Sequence, residues 1–274
     1  MSKLLKIGIV GCGAIGSSLA KTILSADFSG QAKLVSLYDI KVEKARILAN
    51  KLGKPEIVTL NLEHLIKRVD LVIEATHAHA VYGIARKALA SSCDMMIMSV
   101  GGIIEYYRQL KELAVKKNAR IFIPSGAICG VDGLKATRFG KIHKVTLTTR
   151  KPPRAFLGVP YVLKKKIRLA QIKKDIVLFK GNALSAIKAF PQNINVAATL
   201  SIAGIGPKHT VVRIVASPNA KRNIHEIEIE SAAGRIITRT ENVIHPDNPK
   251  TSYLAVLSAI ATLKQILEPI KIGT

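Results

Sequence analysis

The stretch Leu5–Leu24, LKIGIVGCGAIGSSLAKTIL, decides the fold. Its first six residues read as a short apolar strand, and SSLAKTIL reads as a helix. Between them stands GCGAIG, Gly11 to Gly16, a G-x-G-x-x-G loop with a strand before it and a helix after it. Gly11 permits the tight turn, Gly13 lets a pyrophosphate approach the backbone, and Gly16 lets helix and strand pack closely. Ala14 and Ile15 complete the loop and carry the chain into the helix.

Working outward, the next strand, KLVSLYD, ends in Asp39, 23 residues beyond Gly16. An acid at this offset holds the ribose 2′-hydroxyl of NAD and repels the 2′-phosphate of NADP. Lys41 and Lys44 soften that preference, so NADP stays open beside NAD. The alternation then continues, with helices expected near 41–52, 62–67, 79–90 and 104–117 and strands near 56–60, 70–76, 94–100 and 119–124. Apolar strands alternating with amphipathic helices describe a parallel sheet covered on both faces, and its ligands lie beyond the carboxyl ends of the strands. The loops expected there are Thr76-His77-Ala78-His79, Ser99-Val100-Gly101-Gly102 and Ser125-Gly126-Ala127. Ala75 and Thr76 are taken as cofactor-lining. His77 and His79 lack a third ligand nearby, so the loop is read as cofactor-lining or as a plain helix start and not as a metal site.

After Pro124 the texture changes to long strands in series, at 141–151, 175–181, 209–217, 223–231 and 235–243, with helices between. The expected fold is therefore α/β: a Rossmann-type doubly wound parallel sheet plus a second α+β domain with a mixed or antiparallel sheet. Residues 1–124 and 246–274 are assigned to the first domain and 125–245 to the second, which is expected to carry the substrate site and the dimer contact. The two last strands form a hairpin through SAAG, setting Glu230 opposite Arg235, Glu226 opposite Arg239 and His225 opposite Thr240. Within NIHEIEIES, Asn223 to Ser231, the three glutamates then share one face and His225 shares the other with Ile227 and Ile229. Such a histidine is either core or the wall of a cleft. FPQNINVAATL reads as a helix capped by Asn193 or Asn195, and HPDNPKTSYLAV as a helix capped by Asn248 with Pro249 in its first turn. His245, in a loop beside Pro246, is read as structural or as part of a domain hinge.

Composition limits the function classes. The chain has 274 residues, 48% apolar, with 42 Lys plus Arg against 18 Asp plus Glu, a formal charge of +24. The basic residues are dispersed, aromatics are 4%, and no nucleic-acid reader motif is present, so specific nucleic-acid binding is not expected. The field suits an anionic metabolite. No apolar run reaches membrane-spanning length, and the glycines between Gly8 and Gly16 break any secretion-signal reading of the N-terminus. Three cysteines without metal-type spacing indicate neither a disulfide framework nor a zinc site, and the protein is expected to be cytoplasmic.

Five motifs occur in order: GCGAIG, PSGAICGVDGL, FPQNINVAATL, NIHEIEIE and NPKTSYLAV. Together they resemble the L-aspartate dehydrogenase family nearly end to end. The resemblance implies a homodimer and NAD(P)-dependent oxidative deamination of L-aspartate to iminoaspartate, which hydrolyses to oxaloacetate and ammonia or feeds NAD biosynthesis. It also implies that His225 is the catalytic acid/base and that Ala127 and Asn195 contact the cofactor. Lys250, Thr251 and Ser252, read as a helix start, are assigned to a substrate carboxylate, against the reading of an ordinary capped helix. Two alternatives stand beside this: an aldehyde-oxidising dehydrogenase of the aspartate-semialdehyde type using Cys129, and a non-catalytic NAD(H)-sensing protein.

Overall fold

The computed structural model describes residues 4–190, 195–246 and 248–273, with backbone only for 248–250. The chain divides into two compact units, one reaching to Pro124 and taking in Val256–Lys271, the other running Ser125–Ala255. The return to the first unit thus comes at Val256 and not at 246.

In the first unit the elements are β1 (Leu5–Val10), α1 (Ala14–Ile23), β2 (Ala32–Tyr38), α2 (Val42–Lys51), α3 (Leu62–Ile66), β3 (Leu71–Glu74), α4 (Ala78–Ala90), β4 (Asp94–Ile97), α5 (Tyr107–Lys116) and β5 (Ile121–Phe122). All strands are parallel in the order β2-β1-β3-β4-β5. The chain winds one way from β1 to β2 and the other way from β3 onward, so the order reverses between β1 and β3. A crevice opens at such a switch point, beyond the strand ends where the glycine loop emerges. The strand expected at 56–60 shrinks to a single turn of 3-10 helix, Pro55–Ile57, and one bridge between Leu37 and Val58. Pro55 opens that turn, where its fixed φ suits the first helical position and its missing N–H costs nothing. The core joins Ile7, Ile9, Leu19, Leu34, Leu37, Leu71 and Ile73 with Ala259 and Leu263 from the C-terminal helix.

The second unit contains α6 (Val131–Thr137), β6 (Ile142–Lys151), α7 (Pro160–Lys164), β7 (Ile176–Asn182), α8 (Ala183–Ala189), α9 (Asn195–Ala203), β8 (Val211–Ala216), β9 (Asn223–Ser231), β10 (Gly234–Asn242), β11 (Ile244–His245) and β12 (Asn248–Ser252). α10 (Tyr253–Leu267) begins in this unit and continues in the first. Its main sheet is mixed, in the order β10-β9-β6-β8-β7. The β9–β10 register sets Glu230 opposite Arg235, Glu226 opposite Arg239 and His225 opposite Thr240, as expected from the charge pattern. The side chains then choose other partners in part. Arg239 does reach Glu226 at 2.6 Å, but Arg235 takes Glu228 across the diagonal, and Glu230 binds Lys144 of β6 at 3.0 Å.

The helix expected to start at Asn248 and Pro249 does not. Asn248–Ser252 is a strand, paired antiparallel with β11, and α10 starts at Tyr253. Pairing of Ile244 with Ser252 satisfies backbone groups that the Asn-Pro signal assigned to a helix turn. Asn193, the other named cap, lies outside the described residues. Among the described residues no helix is long and apolar enough to cross a membrane.

Candidate functional site

In the first unit the glycine loop leads from β1 into α1, with Gly13 in the cap position and no side chain bonding the first turn. Ala14 and Ile15 begin that turn, whose N–H groups have no intrahelical partners and favour an anion. Gly11 has φ +99°, a left-handed conformation, and a Cβ there would collide with the Ala75 carbonyl. A Cβ on Gly16 would collide with the Gly11 carbonyl, whereas one on Gly13 would meet nothing within 4 Å. The loop is thus tightly packed at its two ends and open in the middle, where a pyrophosphate needs backbone approach.

Asp39 stands at the end of β2 and turns back to this loop. Its Oδ2 accepts the Cys12 amide N–H at 2.9 Å and its Oδ1 accepts that of Lys41 at 2.9 Å. Each oxygen keeps a lone pair for a further donor. The Cys12 thiol beside it is pushed up to about 12, by burial first and by the Asp39 charge second, so it stays protonated.

Glu74, at the end of β3, escaped the sequence reading. It is fully buried; its Oε1 accepts both the Thr76 amide and the Thr76 hydroxyl at 2.6 Å, and its Oε2 accepts the Ser99 amide at 3.0 Å. One carboxylate therefore ties the loops after β3 and β4 together. The signal in the sequence was an acid closing an otherwise apolar strand. His77 and His79 are exposed at the start of α4. Among the described residues no group of three His, Cys, Asp or Glu side chains gathers as metal ligands would.

In the second unit the inner face of the sheet is apolar along most of its length. Val145, Leu147, Val212, Ile214, Ala216, Ile227 and Ile229 form its core with residues of α6, α8 and α9. At one end this layer turns polar. Thr149 lies opposite His225, and Oγ1 of Thr149 is 3.0 Å from Nδ1 of His225. His225 is 4% exposed, and its imidazole is pushed down to about 3, by burial first and by the Lys151 charge second. It is therefore neutral at physiological pH. Lys151, two residues beyond Thr149 on the same face, is 9% exposed, and burial lowers its ammonium to about 8.

Beside His225 on β10, Thr240 and Asn242 both donate to the Ala127 carbonyl, at 3.0 Å each. This anchors the Ser125-Gly126-Ala127 loop to the strand next to the histidine. The Asn242 Oδ1 is buried and meets no hydrogen-bond partner among the described residues. Thr149, Lys151, Thr240 and Asn242 were all missed as site residues, because a threonine or a terminal lysine on a strand carries no motif. Asn195 is the first residue of α9 and is exposed. Cys129 is exposed, and its carbonyl accepts the Thr238 hydroxyl at 3.2 Å. His245 is buried with its ring edge-on to Tyr253, a packing role.

Thr251 and Ser252 end β12 and lead directly into α10; the Lys250 side chain lies outside the description. They lie on a strand and not in the first turn of a helix, which corrects the basis on which they were singled out. Ser252, now immediately before α10, is buried.

Comparison with known proteins gives a consistent set of likenesses. The family description "Aspartate dehydrogenase, C-terminal" matches residues 132–266, and "Homoserine dehydrogenase, NAD binding domain" matches residues 11–124. An L-aspartate dehydrogenase of Methanosarcina mazei is 46% identical over 99% of this chain and 100% of its own length. That of Methanocaldococcus jannaschii is 41% identical over the same shares. The crystal structure of aspartate dehydrogenase from Thermotoga maritima superposes with a TM-score of 0.74 at 27% identity, covering 99% of this chain and 100% of that one.

Proposed function

The chain belongs to the L-aspartate dehydrogenase family, and we propose that it oxidises L-aspartate to iminoaspartate with a nicotinamide dinucleotide. Full-length relatives of that activity take away the support for an aldehyde reaction at Cys129 or a non-catalytic sensor. The observation that carries the reading is the buried, uncharged imidazole of His225, held at Nδ1 by Thr149 in the substrate unit.

The residues present fit the cofactor. The open centre of the glycine loop and the uncapped first turn of α1 suit a pyrophosphate, held by Gly11, Gly13, Ala14, Ile15 and Gly16. Asp39 has acceptor capacity left for ribose hydroxyls, and this favours NAD over NADP. Ala75 and Thr76 line the cofactor, with Thr76 held by Glu74, and Ala127 and Asn195 contact it. Bound there, the dinucleotide supplies the two-electron acceptor for the hydride on the substrate Cα.

His225 does the proton work. A substrate ammonium cannot release hydride from Cα until its nitrogen lone pair is free. The neutral imidazole removes one proton, and the lone pair then forms the C=N bond as hydride departs. Once the ring has passed that proton to solvent, it takes a proton from water as the oxygen adds to the imine carbon and returns it to the amine; the amine leaves as ammonia while the carbinolamine hydroxyl gives up its proton to the ring and becomes the ketone. Oxaloacetate and ammonia result. Lys250, Thr251 and Ser252 are assigned to a substrate carboxylate, Ser252 standing where the first-turn N–H groups of α10 favour an anion. The protein works as a cytoplasmic homodimer, and its imine product can enter NAD biosynthesis.

The test is NADH formation with L-aspartate at mildly alkaline pH, comparing wild type with His225→Ala and measuring NADH affinity by fluorescence. The expected result is turnover by wild type and loss of at least about 100-fold in kcat with cofactor affinity kept. An equally active variant makes His225 a core residue. Running the assay with NADP, and the protein on a sizing column with light scattering, tests the cofactor preference and the dimer.

A further inference from the structure

We propose that Lys151 is the cation that holds a carboxylate of the substrate beside His225, an inference that rests on the activity proposed above. A dicarboxylate brings two negative charges into its site, and each needs a cation or several donors there. His225 supplies no charge, because burial keeps its ring neutral. Along the inner face, β6 contributes Val145, Leu147, Thr149 and Lys151; β8 contributes Val212, Ile214 and Ala216; β9 contributes His225, Ile227 and Ile229. β10 adds Ile236, Thr238, Thr240 and Asn242. In these stretches Lys151 bears the one formal charge, and it lies opposite Ala216 at the polar end of the face.

The placement is not that of a surface lysine. Lys151 is 9% exposed, and its ammonium acts on the imidazole through space strongly enough to lower its basicity. Burying an ammonium is costly, and along β6 the inner face passes from the apolar Val145 and Leu147 to the polar Thr149 before it reaches this lysine. A carboxylate bound here meets the cation in a medium of low dielectric, where the attraction is far greater than in water. It also offsets the field on His225, raising the ring's proton affinity when substrate is present. One lysine thus selects an acidic substrate and readies the base that acts on it.

The experiment uses the full chain as wild type, Lys151→Met and Lys151→Arg. Steady-state assays give kcat and KM for L-aspartate, and calorimetry gives the affinity for succinate, a dicarboxylate that cannot react, in the presence of NADH. Expected in Lys151→Met is a rise of at least about 30-fold in KM and in the succinate Kd, with NADH affinity within twofold. Lys151→Arg should recover part of the succinate affinity. Wild-type KM and succinate affinity in Lys151→Met would overturn the assignment, as would equal losses for succinate, NADH and stability. If wild type is idle with aspartate yet binds succinate through Lys151, the activity reading fails and the anion site stands. If wild type binds no succinate, the anion site falls whether or not aspartate turns over. Should Lys151→Met not fold, Lys151→Arg with unchanged KM and succinate affinity overturns the proposal by itself, and a rise in both upholds it.

Discussion

Oγ1 of Thr149 lies 3.0 Å from Nδ1 of His225, across a β6–β9 pair in which the two residues face each other directly. A hydroxyl both donates and accepts, so Thr149 can follow the ring through either protonation state while fixing its orientation. Thr149→Val keeps the shape and removes this adaptability. Leaving the buried Nδ1 without a partner costs about 1–3 kcal/mol, which predicts a fall in kcat of roughly 5- to 150-fold. KM for aspartate and NADH affinity should stay within about threefold. Thr149→Ser should recover most of the rate. Steady-state kinetics on both variants distinguish this from a packing role, for which Ser and Val would rank the other way.

Burial of His225 also makes the fold acid-sensitive. In the unfolded chain the imidazole binds a proton near its ordinary 6.5, and in the folded protein only near about 3. Between those values the unfolded state holds more protons, so stability falls as pH is lowered and is fully regained above about 6.5. His225→Gln removes this dependence. Relative to the variant, wild type should lose about 2 kcal/mol between pH 7.5 and pH 5. Urea midpoints for both proteins at the two pH values provide the measurement. A constant difference would mean that the ring is solvated and titrates normally.

What was legible in the sequence follows from how locally each feature is determined. The glycine loop and Asp39 are set by short-range geometry, since the loop needs its glycines wherever it occurs. The register of β9 on β10 was readable because alternating Glu and Arg label one face, and a one-residue slip would expose Ile227 and Ile229. The start of α10 was misplaced because Asn248-Pro249 is a strong local helix signal, while the pairing of β12 with β11 is tertiary. Lys151 and Glu74 stayed hidden for the same reason. Each is the last residue of its strand, where a charged residue ordinarily reaches solvent, and only the surrounding packing shows that these two do not. Thr149 needed the β6–β9 pairing, which joins segments 76 residues apart.

Asp39 bonds the Cys12 and Lys41 amides at once, so its carboxylate shapes the loop as well as facing a ribose. Asp39→Ser keeps a small acceptor and removes the negative charge. NAD affinity should fall at least about tenfold through the lost ribose contact, while repulsion of a 2′-phosphate disappears. The ratio of kcat/KM for NAD over NADP should then drop by at least about tenfold, with Lys41 and Lys44 nearby to favour the phosphate. The two specificity constants measured side by side decide it. An unchanged ratio would show that the carboxylate serves the loop alone.

Gly13 and Gly16 belong to one motif but meet different surroundings, and a single methyl group separates their roles. On Gly16 the methyl meets the Gly11 carbonyl, a backbone atom that cannot turn aside, so α1 must back away from β1. Gly16→Ala should destabilise the protein by about 1–3 kcal/mol and weaken cofactor binding as a consequence. On Gly13 the methyl enters open space and φ is negative, so the fold should keep its melting temperature within about 1–2 °C. The same methyl stands where a pyrophosphate must approach, and NADH affinity should fall at least about tenfold. Thermal melts and fluorescence titrations of the two variants test the pair together. If Gly13→Ala binds NADH as tightly as wild type, the dinucleotide does not cross the centre of this loop.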